Sequence, residues 1–245
     1  MPPLEILATG AVAVFFGYAM FGITAFGAAI LIVPTLTYVM PLSEVLPVTV
    51  VFDVGAATTL AIRGRRDAER RELTILTPFS VIGAVLGVTL LVSLPRTTTL
   101  GALGAFLLFY ALWSLAEGGR LRTISAWWAP LSGLVGGVMG TLFGVGGPGY
   151  VIYLSRRIED KTRLRATIAA MIALSVVIRL AVFAAAGLMT RDRFAMVAWW
   201  LPFAAAGFLC GSRLQPHVPR GVVVRLLNAL LLVLGVSLLW RAISG

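Results

Sequence analysis

A single arginine interrupts the apolar stretch from 166 to 190: Arg179 lies near its middle. In hydrocarbon a cation there costs several kcal/mol unless it faces a cavity or a partner. Its planar fork of N–H donors is suited to holding an anionic head group by two-point contact. Ser175 precedes it by one helical turn, on the same face. Asp53, within the apolar stretch 45 to 62, is either the structural ion-pair partner of Arg179 or a proton-coupling carboxylate. Thr49 and Thr167 offer hydroxyls to a ligand or to their own helix backbone.

The run Gly140-Thr141-Leu142-Phe143-Gly144-Val145-Gly146-Gly147-Pro148-Gly149 carries the second chemical signal. Glycine lets backbone approach backbone or ligand, and proline suits the first turn of a helix, where its missing N–H has no helical partner. A half-helix starting near Gly147 would aim unpaired N–H groups and its positive dipole end into the protein, an arrangement suited to an anion. Gly144, Gly146, Gly147 and Pro148 therefore join Thr167, Ser175 and Arg179 as candidate binding residues, with Gly27 and Thr49 as their counterparts nearer the N-terminus. The competing reading is a kinked helix whose glycines serve only tight packing.

Enzyme chemistry has little to work with. The lone cysteine, Cys210, excludes an internal disulfide, a CxxC pair and a thiolate metal cluster, and its place inside Gly207/Gly211 predicts a core position. The lone histidine, His217, sits between Pro216 and Pro219, where a solvated loop is expected, so a hydrolase lacks its base. Neither a metal site nor a cofactor is expected.

The elements that must position these residues are set by the solvent. Apolar residues make up 59% of the 245 and charged residues 12%, about half the charged share of a soluble domain. Mean hydropathy is +0.97, spread along the chain. A polytopic, all-α integral membrane protein follows, since helices satisfy their own backbone in lipid and the alternation of a barrel is absent. The net charge of +10 sits in short loops between apolar spans, which is how membrane topology is encoded rather than how nucleic acid is bound. The start, Met1-Pro2-Pro3-Leu4-Glu5, lacks the basic n-region of a cleaved signal peptide, so the first segment is expected to be retained.

Eight apolar segments are predicted: 6 to 43, 45 to 62, 73 to 95, 97 to 116, 123 to 155, 166 to 190, 194 to 212 and 221 to 240. The first and fifth hold 38 and 33 uncharged residues; straight helices of that length would run to about 57 and 50 Å against a hydrocarbon core of about 30 Å. Both are read as helical hairpins or discontinuous helices, broken in the first by Gly17, Gly22, Gly27 and Pro34 and in the second by the glycine run.

The chain also repeats. Pro78-Phe79, Gly83 and Gly87 recur as Pro202-Phe203, Gly207 and Gly211, and Leu94-Pro95-Arg96 as Val218-Pro219-Arg220, all at an offset of 124. Phe26-Gly27 and Phe143-Gly144 correspond at 117, Thr49 and Thr167 at 118, and Trp113 and Trp240 at 127. Two membrane repeats, 1–119 and 120–245, form a single membrane domain. If both long segments return to their starting side, 15 Lys/Arg fall on the cytoplasmic face and leave Arg96, Arg191, Arg193 and Arg241 outside; if they cross once, the division is 10 against 9. The positive-inside rule selects the first arrangement, in which the halves are inverted, each a broken or hairpin helix followed by three transmembrane helices. Trp113, Trp127, Trp128, Trp199, Trp200 and Trp240, at segment ends, are expected as interfacial anchors.

At these residues the chain resembles the TauE/SafE family of membrane transporters, the sulfite exporters, whose two repeats each open with a glycine-rich motif of the form GxxGxGGxxxxP. The second repeat carries Ser132-Gly133, Gly136, Gly140, Phe143-Gly144-Val145-Gly146-Gly147-Pro148, then Arg165-Ala166-Thr167 and Arg179. The first keeps Gly22, Gly27 and Pro34, with Ala28-Ala29-Ile30 where the family usually has glycines. The resemblance implies export of small sulfur-containing anions such as sulfite or sulfoacetate across the bacterial inner membrane. The expected partners are that anion, the lipid bilayer and a coupling proton or ion. A homodimer is left open, and an anion channel or a non-transporting membrane scaffold stands as the alternative function.

Overall fold

The computed structural model describes residues 4–24, 28–116, 124–215 and 220–244. They form ten α-helices: α1 (Leu4–Thr24), α2 (Ala28–Leu36), α3 (Leu42–Gly64), α4 (Arg70–Ser93), α5 (Arg96–Ala116), α6 (Ala129–Phe143), α7 (Gly147–Leu154), α8 (Lys161–Ala185), α9 (Arg191–Leu214) and α10 (Arg220–Ser244). A short 3-10 turn, Ala126–Trp128, leads into α6. No strand occurs among the described residues.

Among the described residues six helices are long and apolar enough to cross a membrane: α1, α3, α4, α6 with its leading turn, α8 and α9. Shorter apolar stretches, Thr97–Leu112 and Leu231–Ile243, lie in α5 and α10. Many large apolar side chains face outward, Phe109 and Val233 at 67% exposure among them. A soluble protein would bury such residues, whereas a lipid-facing surface takes them at no cost. The protein is a multi-pass membrane protein.

Each overlong segment is two helices. The second is α6 and α7, parted at Gly144–Gly146. The first is α1, ending at Thr24, and α2, starting at Ala28; Gly27 lies outside the described residues. Gly17, Gly22 and Pro34 do not break the chain as expected; the two glycines sit inside α1 and the proline inside α2. Hydroxyls take up nearby carbonyls there: Thr35 donates to Leu31 O at 2.7 Å and Thr37 to Pro34 O at 2.7 Å.

The helices pack as two compact units that do not follow the sequence halves. The first unit takes 43–92 and 121–201, hence α3, α4, α6, α7, α8 and the start of α9; the second takes 2–42, 93–120 and 202–245, hence α1, α2, α5, the rest of α9 and α10. Each half of the sequence therefore contributes helices to both.

Within the first unit α4 and α6 cross on glycines. A Cβ at Gly83 would strike Leu134 O, one at Gly137 would strike Ser80 O, and one at Gly133 would come within 2.8 Å of Leu76 O. Within the second unit α9 and α1 cross in the same way: a Cβ at Gly207 or Gly211 would strike the carbonyls of Phe15 or Ala19, and one at Gly22 would lie 2.6 Å from Phe208 O. The glycine pair repeated at an offset of 124 thus does the same job twice, and crosswise: α4 of the first half grips α6 of the second, and α9 of the second grips α1 of the first. Also within the second unit, α5 and α10 pack together, with a Cβ at Gly104 placed 2.9 Å from Gly235 O.

Two further expectations are corrected. Cys210 is exposed, because it lies beside the gripping face of α9 rather than on it. Trp200 is fully buried, unlike Trp127, Trp128, Trp199 and Trp240, which are exposed; ten residues into α9, it turns to the interior. The Trp113 side chain and His217 lie outside the described residues.

Candidate functional site

The first unit holds the break between α6 and α7. α6 ends because Gly144 adopts φ +76°, ψ 3°, a left-handed conformation in which its N–H donates to Gly140 O at 2.9 Å and the Val145 N–H to Met139 O at 3.3 Å. Those two bonds satisfy the last carbonyls of the helix. An L side chain in this conformation costs roughly 1–2 kcal/mol. Gly144→Ala is accordingly expected to lower thermal stability by about that amount, measured as a drop in the unfolding midpoint in detergent.

α7 begins at Gly147 with Pro148 in its first turn. The glycines of the run divide by what their missing side chains would meet. A Cβ at Gly146 would lie 2.6 Å from Gly136 O, and one at Gly149 would lie 2.9 Å from Gly136 backbone atoms. The Ser132 hydroxyl donates to Gly149 O at 2.7 Å. These contacts lay α7 against α6. A Cβ at Gly147 would meet nothing within 4 Å, so the start of α7 has space before it.

Arg179 lies at this break, 3% exposed. A Cβ at Gly140 would come within 3.5 Å of Arg179 Cδ and 3.4 Å of Gly146 Cα, so the arginine stem runs past the last turn of α6. Its Nη2 stands 3.6 Å from Asp53 Oδ2, and both side chains are almost wholly buried. That is an ion pair, longer than the 2.7–2.9 Å or so of a charge-assisted hydrogen bond. One turn earlier on α8, Ser175 Oγ accepts from Tyr150 Oη at 3.1 Å, and Tyr150 Oη shares a 2.6 Å hydrogen bond with Ser80 Oγ. Tyr150 is fully buried, its ring lying over the site of an absent Gly136 Cβ. α3, α4, α7 and α8 thus converge one charged or hydroxyl group after another: Asp53, Ser80, Tyr150, Ser175 and Arg179.

Sequence reading finds Arg179, Ser175 and Asp53 but misses Tyr150 and Ser80. Tyr150 carried a weak signal, since it follows Gly147 by three residues at the start of the new helix. Ser80 carried another, between Pro78 and Gly83 on the repeated helix. Thr49 is buried one turn before Asp53, its hydroxyl donating to Leu46 O at 3.1 Å. Thr167 is not brought into the cluster. It precedes Arg179 by twelve residues, about 18 Å along α8, and its hydroxyl donates to Arg163 O at 2.7 Å while accepting from the Glu69 N–H at 2.9 Å. That places it as a tie between α8 and the start of α4.

A second polar cluster lies at the start of α4. Glu72, 7% exposed, accepts from Tyr153 Oη at 2.7 Å and from Arg157 Nη2 and Nε at 3.0 and 3.2 Å. Arg157 also donates to Ile124 O at 3.3 Å. The Glu72 carboxylate pushes the Arg157 pKa above its ordinary value, chiefly through those hydrogen bonds. By contrast the exposed Arg163–Glu69 pair at 2.7 Å contributes little. Glu72 fixes the end of α7 to α4, and with it the direction in which the other end of α7 points. No group of His, Cys, Asp and Glu among the described residues is arranged to hold a metal ion.

A buried guanidinium, three hydroxyl-bearing residues and the start of a half-helix lie together in the first unit. The protein named probable inner membrane transporter protein TsaS, from Comamonas testosteroni, is 30% identical over 200 residues, which cover 78% of this chain and 82% of that protein. No solved structure matches. The model of the family described as sulfite exporter TauE/SafE matches residues 10–238, and with that match spanning nearly the whole length, the chain is a membrane transporter, not an enzyme, and belongs to the TauE/SafE family.

Proposed function

We propose that the protein is a secondary transporter of a small sulfur-containing or other organic anion, such as sulfite, sulfoacetate or a simple alkanesulfonate, working by alternating access in a bacterial inner membrane. The observation that carries this reading is Arg179, buried at the α6/α7 break beside the open start of α7. A sulfonate or sulfite presents three oxygens on one sulfur. Guanidinium donors and free N–H groups of a helix start complement that head better than they complement a cation or a neutral solute. Tyr150, Ser80 and Ser175 supply hydroxyls to the same region.

The crosswise gripping of α4 with α6 and of α9 with α1 supports an inverted repeat, as does the charge count, which puts 15 Lys/Arg on one face only in that arrangement. Broken helices placed in equivalent positions of the two halves are the arrangement on which such carriers build their central site. Export is the direction that the family description names.

The direct experiment is flux in proteoliposomes. Saturable uptake of labelled sulfite, sulfoacetate or methanesulfonate, accelerated by unlabelled anion on the far side, is the expected result. A protein that moves none of the three under any gradient, or that passes them without saturation or counterflow, is not this carrier.

A further inference from the structure

Asp53 stands where the substrate's charge is needed. Its carboxylate is 3.6 Å from Arg179 Nη2, with the aspartate 6% and the arginine 3% exposed. The sequence leaves it as a structural counter-ion or a coupling group; the geometry and the charge count together decide. Resting on the proposed anion site, we infer that Asp53 is a built-in competitor for Arg179 that takes up one proton whenever the transported anion takes the guanidinium, which makes the protein a proton-coupled anion carrier, electroneutral for singly charged anions.

The inference follows from counting charge in a place without water. Before the anion arrives the Arg179–Asp53 pair is itself neutral. An oxyanion arriving at Arg179 would bring two negative charges to one positive one, and a like charge within about 4–6 Å strongly disfavours an ionised carboxylate. Burying an uncompensated charge costs several kcal/mol, so the carboxylate accepts a proton from the aqueous side then open and becomes the neutral acid. When the anion leaves, Arg179 takes back the carboxylate and the proton departs with the anion. Nothing is oxidised or reduced; one proton binds and one is released per cycle.

The charged neighbours leave this role to Asp53. Arg179 from α8 is its ion-pair partner. Tyr150 from α7 is joined to the same face of α8 through Ser175, and Glu72, Arg157 and Tyr153 hold one another at the start of α4. On α3 itself the next charged residues are Glu44 and Arg63, nine and ten positions away, about 14 and 15 Å along the axis. Only a singly charged anion leaves the loaded site as neutral as the empty one. Transport is then electroneutral, and its direction follows the anion and pH gradients rather than the membrane potential.

Methanesulfonate tests this, because it stays singly charged across the pH range of the assay. With purified wild-type protein in liposomes enclosing a pH dye, inward methanesulfonate is expected to acidify the lumen by one proton per anion, at a rate unchanged by a potassium–valinomycin potential. Asp53→Asn removes the competitor, so it is expected to bind methanesulfonate several-fold more tightly in calorimetry and to release no proton on unloading. A structural counter-ion would instead give weaker binding in Asp53→Asn, and that outcome overturns the inference. So does wild-type methanesulfonate flux without acidification, or flux that follows the potential; either leaves the anion carrier itself standing. Movement of sulfite or sulfoacetate without any of methanesulfonate also overturns the inference alone, and absence of movement of all three in the wild type overturns both.

Discussion

Arg179→Lys is expected to lower the affinity for methanesulfonate at least tenfold while leaving the protein folded, and Arg179→Ala to lower it a hundredfold or more. The two losses have different origins. An ammonium keeps the charge but is a compact, strongly hydrated point that cannot reproduce a planar two-point grip. Truncation to alanine removes the charge and also strands Asp53, buried at 6% exposure; breaking a buried pair in this way costs about 3–5 kcal/mol, so yield is expected to fall as well. The double variant Arg179→Ala/Asp53→Asn separates the effects. It leaves no buried charge at the site, so it is expected to recover wild-type yield and a normal unfolding midpoint while still binding no anion. Calorimetry on the three variants decides the matter: wild-type affinity in Arg179→Lys, or any binding in the folded double variant, would take the arginine out of the site.

The second large effect concerns the glycines, which the structure sorts into two kinds. Gly137→Leu and Gly211→Leu are expected to abolish folded protein. A Cβ at Gly137 would strike Ser80 O and one at Gly211 would strike Ala19 O; these neighbours are backbone and cannot turn aside, so each helix pair must separate. Added atoms in a packed core cost about 1–3 kcal/mol when side chains can adjust, and more is expected here. Gly147→Leu gives the opposite pattern, since its Cβ would meet nothing within 4 Å. It is expected to fold with a normal elution profile but lose anion binding, because the side chain fills the space before the start of α7. Size-exclusion profiles and binding, measured side by side, check both halves of the contrast; a Gly147→Leu protein that binds normally would move the site away from the break.

Much of this was written in local sequence. Uncharged stretches longer than the bilayer is thick had to break, and they do, because length and hydrocarbon thickness are both one-dimensional quantities. Arg179 and Ser175 were placed on one face by helical period alone. The repeated Gly83/Gly87 and Gly207/Gly211 pairs announced close crossings, though not their partners. What escaped depends on contacts far apart in the chain. Ser80 meets Tyr150 across 70 residues, and Glu72 meets Tyr153 across 81; no spacing rule relates them. Correspondence between repeats misled at Thr167, whose axial position some 18 Å from Arg179 follows from counting residues along α8. Pro34 misled because α2 runs on through it to Leu36.

The crosswise gripping of helices has a consequence in time. α4 finds its partner soon after it is made, since α6 begins at Ala129, 36 residues past the end of α4 at Ser93. α1 ends at Thr24, but the Gly211 that presses on it comes 187 residues later. At about 5–20 residues per second, the glycine face of the first helix stays in lipid, without its mate, for on the order of ten to forty seconds of synthesis. The nascent chain must therefore insert first and assemble afterwards, and it is the last quarter of the polypeptide that closes the fold around the beginning.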